Sequence, residues 1–156
     1  MPILPIDTGR YGSLEMRHIF DEENKLQKWL DVEAAVAEAE ASVGDIPKEA
    51  ADDIAKNANT KAVTLARTKE IEKETRHDLM SMVMALTEAC KGEGKKYVHY
   101  GLTSMDIEDT TTALQFKDAF DIIEHGVKRI LNVECRILND EVKKVLRSNY
   151  FKIQHS

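Results

Sequence analysis

After Ser104 no proline interrupts the sequence, and Ile107, Thr111, Leu114, Phe120, Ile123, Val127, Ile130, Leu131, Leu138, Val142 and Val145 recur at spacings of three and four. That spacing sets them along one face of an α-helix and predicts a helix of about 40 residues, roughly 60 Å long. Gly126 is the position where a bend is expected. A helix this long is rarely stable alone, so it should pack along partner helices, in a bundle that continues beyond a small domain. Self-association through this helix, or further sequence to complete the bundle, is the expectation.

The rest of the chain reads as helical too, giving an all-α fold. Ala, Glu, Lys, Leu and Met are plentiful, and Pro2, Pro5 and Pro47 all fall in the first third of the 156 residues. Residues 1–12 read as an extended arm. Ser13 caps a short helix through Phe20, and Asp21 caps a second, bearing Leu26, Trp29, Leu30, Val36, Ala39 and Val43 and stopped by Gly44. Pro47 suits the first turn of a third, with Ala50, Ala51, Ile54 and Ala58 as its apolar face. Residues 60–73 read as a solvated helix with Val63, Leu65 and Ile71 partly covered. Thr75 with Asp78 reads as a capping box ahead of Leu79, Met82, Val83, Leu86 and Cys90.

A net charge of -6 argues against binding nucleic acid or an anionic membrane, both of which need clustered positive charge. No stretch approaches membrane-spanning length, and a cytoplasmic location is expected. Cys90 and Cys135 are too few for a disulfide framework or a zinc site.

Three stretches carry chemistry. In YVHYGLTSMDIEDTTT, Tyr97 to Thr112, Gly101 allows a sharp turn, and Thr103 or Ser104 caps the long helix with Asp106 in the capping-box position. The stretch reads either as a plain helix start or as a site where two hydroxyls and unpaired N–H groups receive a carboxylate or phosphate, with His99 nearby. Arg76, His77 and Asp78 place a permanent cation, an imidazole and an acid at a second helix start, which reads either as an ordinary solvated helix start or as a site where all three meet one ligand from the first, irregular turn. Arg10 beside Tyr11 on a turn reads as an anion clamp or as a surface Arg with a packing Tyr.

Taken together, RYGSLEM from Arg10, ETRHDLMSMV around Thr75 and KYVHYGLTSMDIEDTTTALQ from Lys96 resemble adenylosuccinate lyase of the fumarase/aspartase superfamily. The resemblance covers about residues 8–147. It implies the N-terminal helical domain of that type over residues 1–103 and the start of an incomplete central helical bundle over residues 104–156. It further implies β-elimination of fumarate from adenylosuccinate to give AMP, and from the succinylated aminoimidazole carboxamide ribotide in purine biosynthesis, with no metal or organic cofactor. Arg10 and Tyr11 would bind the nucleotide, Arg76, His77 and Asp78 would line the same site, and Thr103 and Ser104 would hold a succinyl carboxylate. His77 would position or transfer a proton, with His99 in support. Members of the family are homotetramers whose sites draw on three subunits.

Leu14 stands where the family has proline. After Leu146 the sequence reads RSNYFKIQHS, where the family continues toward a threonine-histidine-glycine motif bearing the general acid and a serine loop bearing the general base. The chain alone is therefore expected to be inactive. The alternative is a non-catalytic helical module that oligomerises or binds an anion at its helix starts.

Overall fold

A computed structural model describes residues 11–154, except the side chains of Cys135 and of residues 145–154. Most of the expected N-terminal arm lies outside them. Among the described residues every regular element is helical: α1 Leu14–Ile19, α2 Glu22–Val43, α3 Lys48–Asn57, α4 Leu65–Thr75, α5 Asp78–Ala89, a 3-10 turn Glu93–Lys96, and α6 Ser104–Gln154. None of the described helices is long and apolar enough to cross a membrane.

Local chemistry accounts for most of the boundaries. The Met16 N–H donates to Ser13 Oγ at 3.2 Å, and the Asn24 N–H to Asp21 Oδ1 at 2.7 Å, so each cap satisfies a donor that its helix leaves open. Gly44 ends α2 at φ 89°, in the left-handed region. Pro47 sits one place earlier than expected, as the residue before α3, where its missing N–H costs nothing.

Four further expectations are corrected. Residues 60–64 are not helical: α4 begins only after Thr64, whose Oγ1 accepts from the Arg67 N–H at 3.2 Å. Val63 and Ile71 are buried rather than partly covered, because both join the hydrophobic core cluster. The cap of α5 is His77 and not Thr75, which instead ends α4 and hydrogen-bonds Ser81 Oγ at 2.8 Å. Finally, α6 has 51 residues, running through Gly126 to Gln154.

The chain divides into two compact units, Met1–Asp118 and Ala119–Ser156. In the first, α2 packs on α3, α4 packs on α5, and the 3-10 turn lies on α3. Leu30, Ile54, Leu79, Met82, Leu86 and Ile107 are fully buried at the centre. The beginning of α6 belongs to this unit: Gln115 Nε2 donates to the Ile19 carbonyl at 2.7 Å, and Lys28 pairs with Asp118 at 2.6 Å. In the second unit the helix exposes Phe120, Ile123, Val127, Ile130, Leu131 and Leu138.

Asp53 holds the turn that follows α5. Its carboxylate accepts the Gly92 N–H at 2.8 Å and the Lys91 N–H at 3.3 Å. Burial works to raise its pKa, but the Gly92, Lys91 and Gly94 N–H groups outweigh it and leave the carboxyl below its ordinary value. A side chain at Gly94 would put Cβ 2.8 Å from Asp53 Oδ2 and 3.2 Å from the Ala50 carbonyl oxygen. Cys90 beneath this turn is buried, and burial with the nearby Asp53 charge pushes its thiol up to about 11, so it packs rather than reacts.

Asp53→Ala is expected to lower stability at neutral pH by about 1–3 kcal/mol, the loss from charged hydrogen bonds to backbone. A depressed folded-state pKa gives stability present above the unfolded value and lost as pH falls through the folded one. The gap between wild type and Asp53→Ala in urea unfolding should therefore close below about pH 4, and a pH-independent gap would refute this account.

Candidate functional site

The chemistry-bearing residues fall into two groups. The first is the junction of α4 and α5. Arg76 ends α4 in the left-handed region at φ 51°, ψ 32°, with its N–H donating to the Glu72 carbonyl at 2.8 Å. A residue with a Cβ adopts that conformation at a cost, and here it lets α4 turn directly into α5. His77 is extended and caps α5, its Nδ1 accepting the Met80 N–H at 3.3 Å. Asp78 Oδ1 accepts the Leu79 N–H at 2.8 Å, and Oδ2 lies 3.8 Å from Lys25 Nζ. The same ammonium sits 4.3 Å from the centre of the Trp29 ring. A cleft of about 150 Å³ beside Asp78 is lined by Lys25, Trp29, Thr68, Lys69 and Glu72. Arg76 and His77 are exposed.

The second group is the turn between the 3-10 segment and α6. Here His99 adopts φ 62° and Gly101 φ 69°. Gly101 does so without strain, whereas His99 is held there by Glu33 of α2. The His99 N–H donates to Glu33 Oε2 at 3.1 Å, and His99 Nδ1 lies 2.6 Å from Glu33 Oε1. Glu33 is only 2% exposed. Burial pushes its carboxyl above the ordinary value, opposed by the hydrogen bonds and charge of His99. Beyond the turn, the Thr103 N–H donates to Asp106 Oδ2 at 2.9 Å, one half of the expected capping box. The Thr103 and Ser104 hydroxyls make no hydrogen bond to a described residue, so both remain available as donors at the positive end of α6.

Among the described residues no hydrogen bond or ion pair joins the two groups. Tyr11 is exposed at the start of the described chain, and Arg10 lies outside the described residues. No group of three or more His, Cys, Asp or Glu side chains among the described residues is arranged to hold a metal ion.

Glu33 is the residue that motif reading missed. A signal for it existed: Leu26, Leu30, Glu33 and Ala37 follow one another at helical spacing, so a carboxylate stands within the buried stripe of α2. Such a group needs a partner, and only the folded chain supplies it, 66 residues away.

Residues 9–145 match the family model described as lyase. The chain belongs to this lyase family. Curated relatives include adenylosuccinate lyases from Pyrococcus horikoshii, 56% identical over 133 residues, and from Methanocaldococcus jannaschii, 51% identical over 133 residues. Each alignment covers 85% of this lyase chain and 29% of the relative, so the chain spans under a third of their length. Among solved structures, fumarate lyase from Mesorhizobium sp. BNC1 matches with a TM-score of 0.65 and 32% identity, over 74% of this chain and 28% of that one. The lyase chain therefore carries both groups on a fold that the family shares.

The capping role of His77 can be separated from any contact it makes with a ligand. His77→Ala should cost about 1 kcal/mol, as for other N-cap truncations, while His77→Asn keeps a side-chain acceptor and should stay within about 0.5 kcal/mol of wild type. Urea unfolding of both variants checks this, and equal losses would remove the cap from the account.

Proposed function

We propose that this chain is the substrate-binding N-terminal portion of an adenylosuccinate lyase, releasing fumarate from adenylosuccinate to give AMP and from the succinylated aminoimidazole carboxamide ribotide of purine biosynthesis. The observation that carries the reading is the 51–56% identity to adenylosuccinate lyases across the stretch that holds His77, His99, Thr103 and Ser104. Residues 1–103 form the N-terminal domain and 104–156 begin the central bundle of a cytoplasmic homotetramer.

In this reading the reaction is a β-elimination. A base removes a proton beside a carboxylate, donors stabilise the resulting aci-carboxylate, and an acid protonates the departing nitrogen. Arg10 and Tyr11 bind the nucleotide, with Arg76 supplying a further forked cation. His77 positions the substrate or moves a proton, and Asp78 borders it. Thr103 and Ser104 hold a succinyl carboxylate at the positive end of α6, where donors and dipole favour an anion. The separation of the two groups in one chain suits a site completed by neighbouring subunits, which the exposed apolar face of the second unit would gather.

Calorimetric titration tests the reading. AMP should bind more tightly than inorganic phosphate, and Arg76→Ala and Ser104→Ala should each weaken AMP about tenfold or more, the loss of one charge-assisted contact. Equal binding of AMP and phosphate would instead favour the anion-binding module. The 156-residue chain should release no fumarate from adenylosuccinate, and measurable release would overturn its dependence on further sequence. Light scattering should give a mass above the 17.7 kDa of one chain, and a clean monomer at high concentration would count against self-association.

A further inference from the structure

The two histidines are held through the same ring atom in opposite senses. Nδ1 of His77 accepts a hydrogen bond from the Met80 N–H, so the neutral ring carries its hydrogen on Nε2. Nδ1 of His99 faces Glu33 Oε1 at 2.6 Å, while Glu33 Oε2 already accepts the His99 N–H. An ionised carboxylate can only accept, so Nδ1 of His99 carries the hydrogen and Nε2 keeps its lone pair. His99 is buried except for 15% of its side chain, and Nε2 makes no hydrogen bond to a described residue.

We propose that Glu33 is a positioning residue that divides the ligand contacts between the two histidines, setting His99 Nε2 as a hydrogen-bond acceptor while the α5 cap sets His77 Nε2 as a donor. The proposal rests on the lyase reading for its ligand. It adds a chemical assignment: an anionic oxygen suits His77, and a ligand N–H, such as one on a purine 6-amino group, suits His99. Glu33 does this through the turn as well as the ring, since its second oxygen holds the backbone of His99 in the left-handed conformation that leads into Thr103 and Ser104.

Nitrogen-15 spectra of histidine-labelled protein at about pH 9, where an ordinary imidazole is neutral, read the tautomers directly. His99 should show hydrogen on Nδ1 and His77 on Nε2, and the same tautomer at both would overturn the proposal without any variant. In Glu33→Gln one amide oxygen replaces two acceptors, so with that oxygen kept on the His99 N–H the amide N–H₂ turns to Nδ1 and reverses the His99 tautomer alone. An unchanged His99 ring in a folded Glu33→Gln protein would also overturn it.

AMP supplies the ligand readout. In the wild type its 6-amino group should move the His99 Nε2 resonance toward the protonated range, and in Glu33→Gln it should not. AMP that binds and leaves this resonance unmoved refutes the acceptor role. Failure of AMP to bind the wild type at all counts against the lyase reading, while the tautomer comparison still decides whether Glu33 sets the ring.

Discussion

One buried carboxylate on α2 organises the part of the molecule where chemistry is expected. Unpaired and ionised, Glu33 would cost several kcal/mol in an apolar stripe. Both of its oxygens are instead engaged by one residue, His99, through the backbone N–H and the ring. The exchange works in both directions. Glu33 gains the partner that its burial demands, and His99 is kept in a left-handed conformation that it would not choose. Gly101 completes the turn, and α6 starts from there with Thr103 exposed and Ser104 half-buried. The turn that leads into α6 thus depends on a contact with a helix far away in sequence.

The α4–α5 junction reaches a comparable result by local means. Arg76 also adopts a left-handed conformation, but the bonds around it come from residues within a few positions: Glu72, Thr75, Ser81 and Met80. This arrangement leaves Arg76 and His77 on the surface while keeping their backbone defined. Two short, strained connections therefore present the polar groups, one braced across the fold and the other from within its own helix pair. Strain at sites otherwise well bonded is where functional groups are commonly found.

Helix α6 lives in two environments. Its first turns are part of the packed unit, with Ile107 and Thr111 buried and Gln115 bonded to the end of α1. From Phe120 onward large apolar side chains are exposed. A helix continues through such a change because its backbone bonds are internal, whatever covers its sides. Its apolar face still calls for a partner, consistent with a chain that spans under a third of its adenylosuccinate lyase relatives.

Periodicity and capping chemistry were enough to read an all-helical chain, the long final helix, the caps Ser13 and Asp21, the Gly44 stop and the turn at Gly101. Each of these depends on residues close together in sequence, where side-chain spacing and backbone preference act directly. The apolar faces of α3 and α5 were legible for the same reason. Tertiary structure decided what required knowing a distant neighbour. It buried Val63 and Ile71, tied Asp53 to the turn after α5, and paired Glu33 with His99. The motifs singled out His77, His99, Thr103 and Ser104 by residue type and order. How His99 is held, and which ring nitrogen it commits, followed only from the fold, because its partner Glu33 lies 66 residues away in sequence.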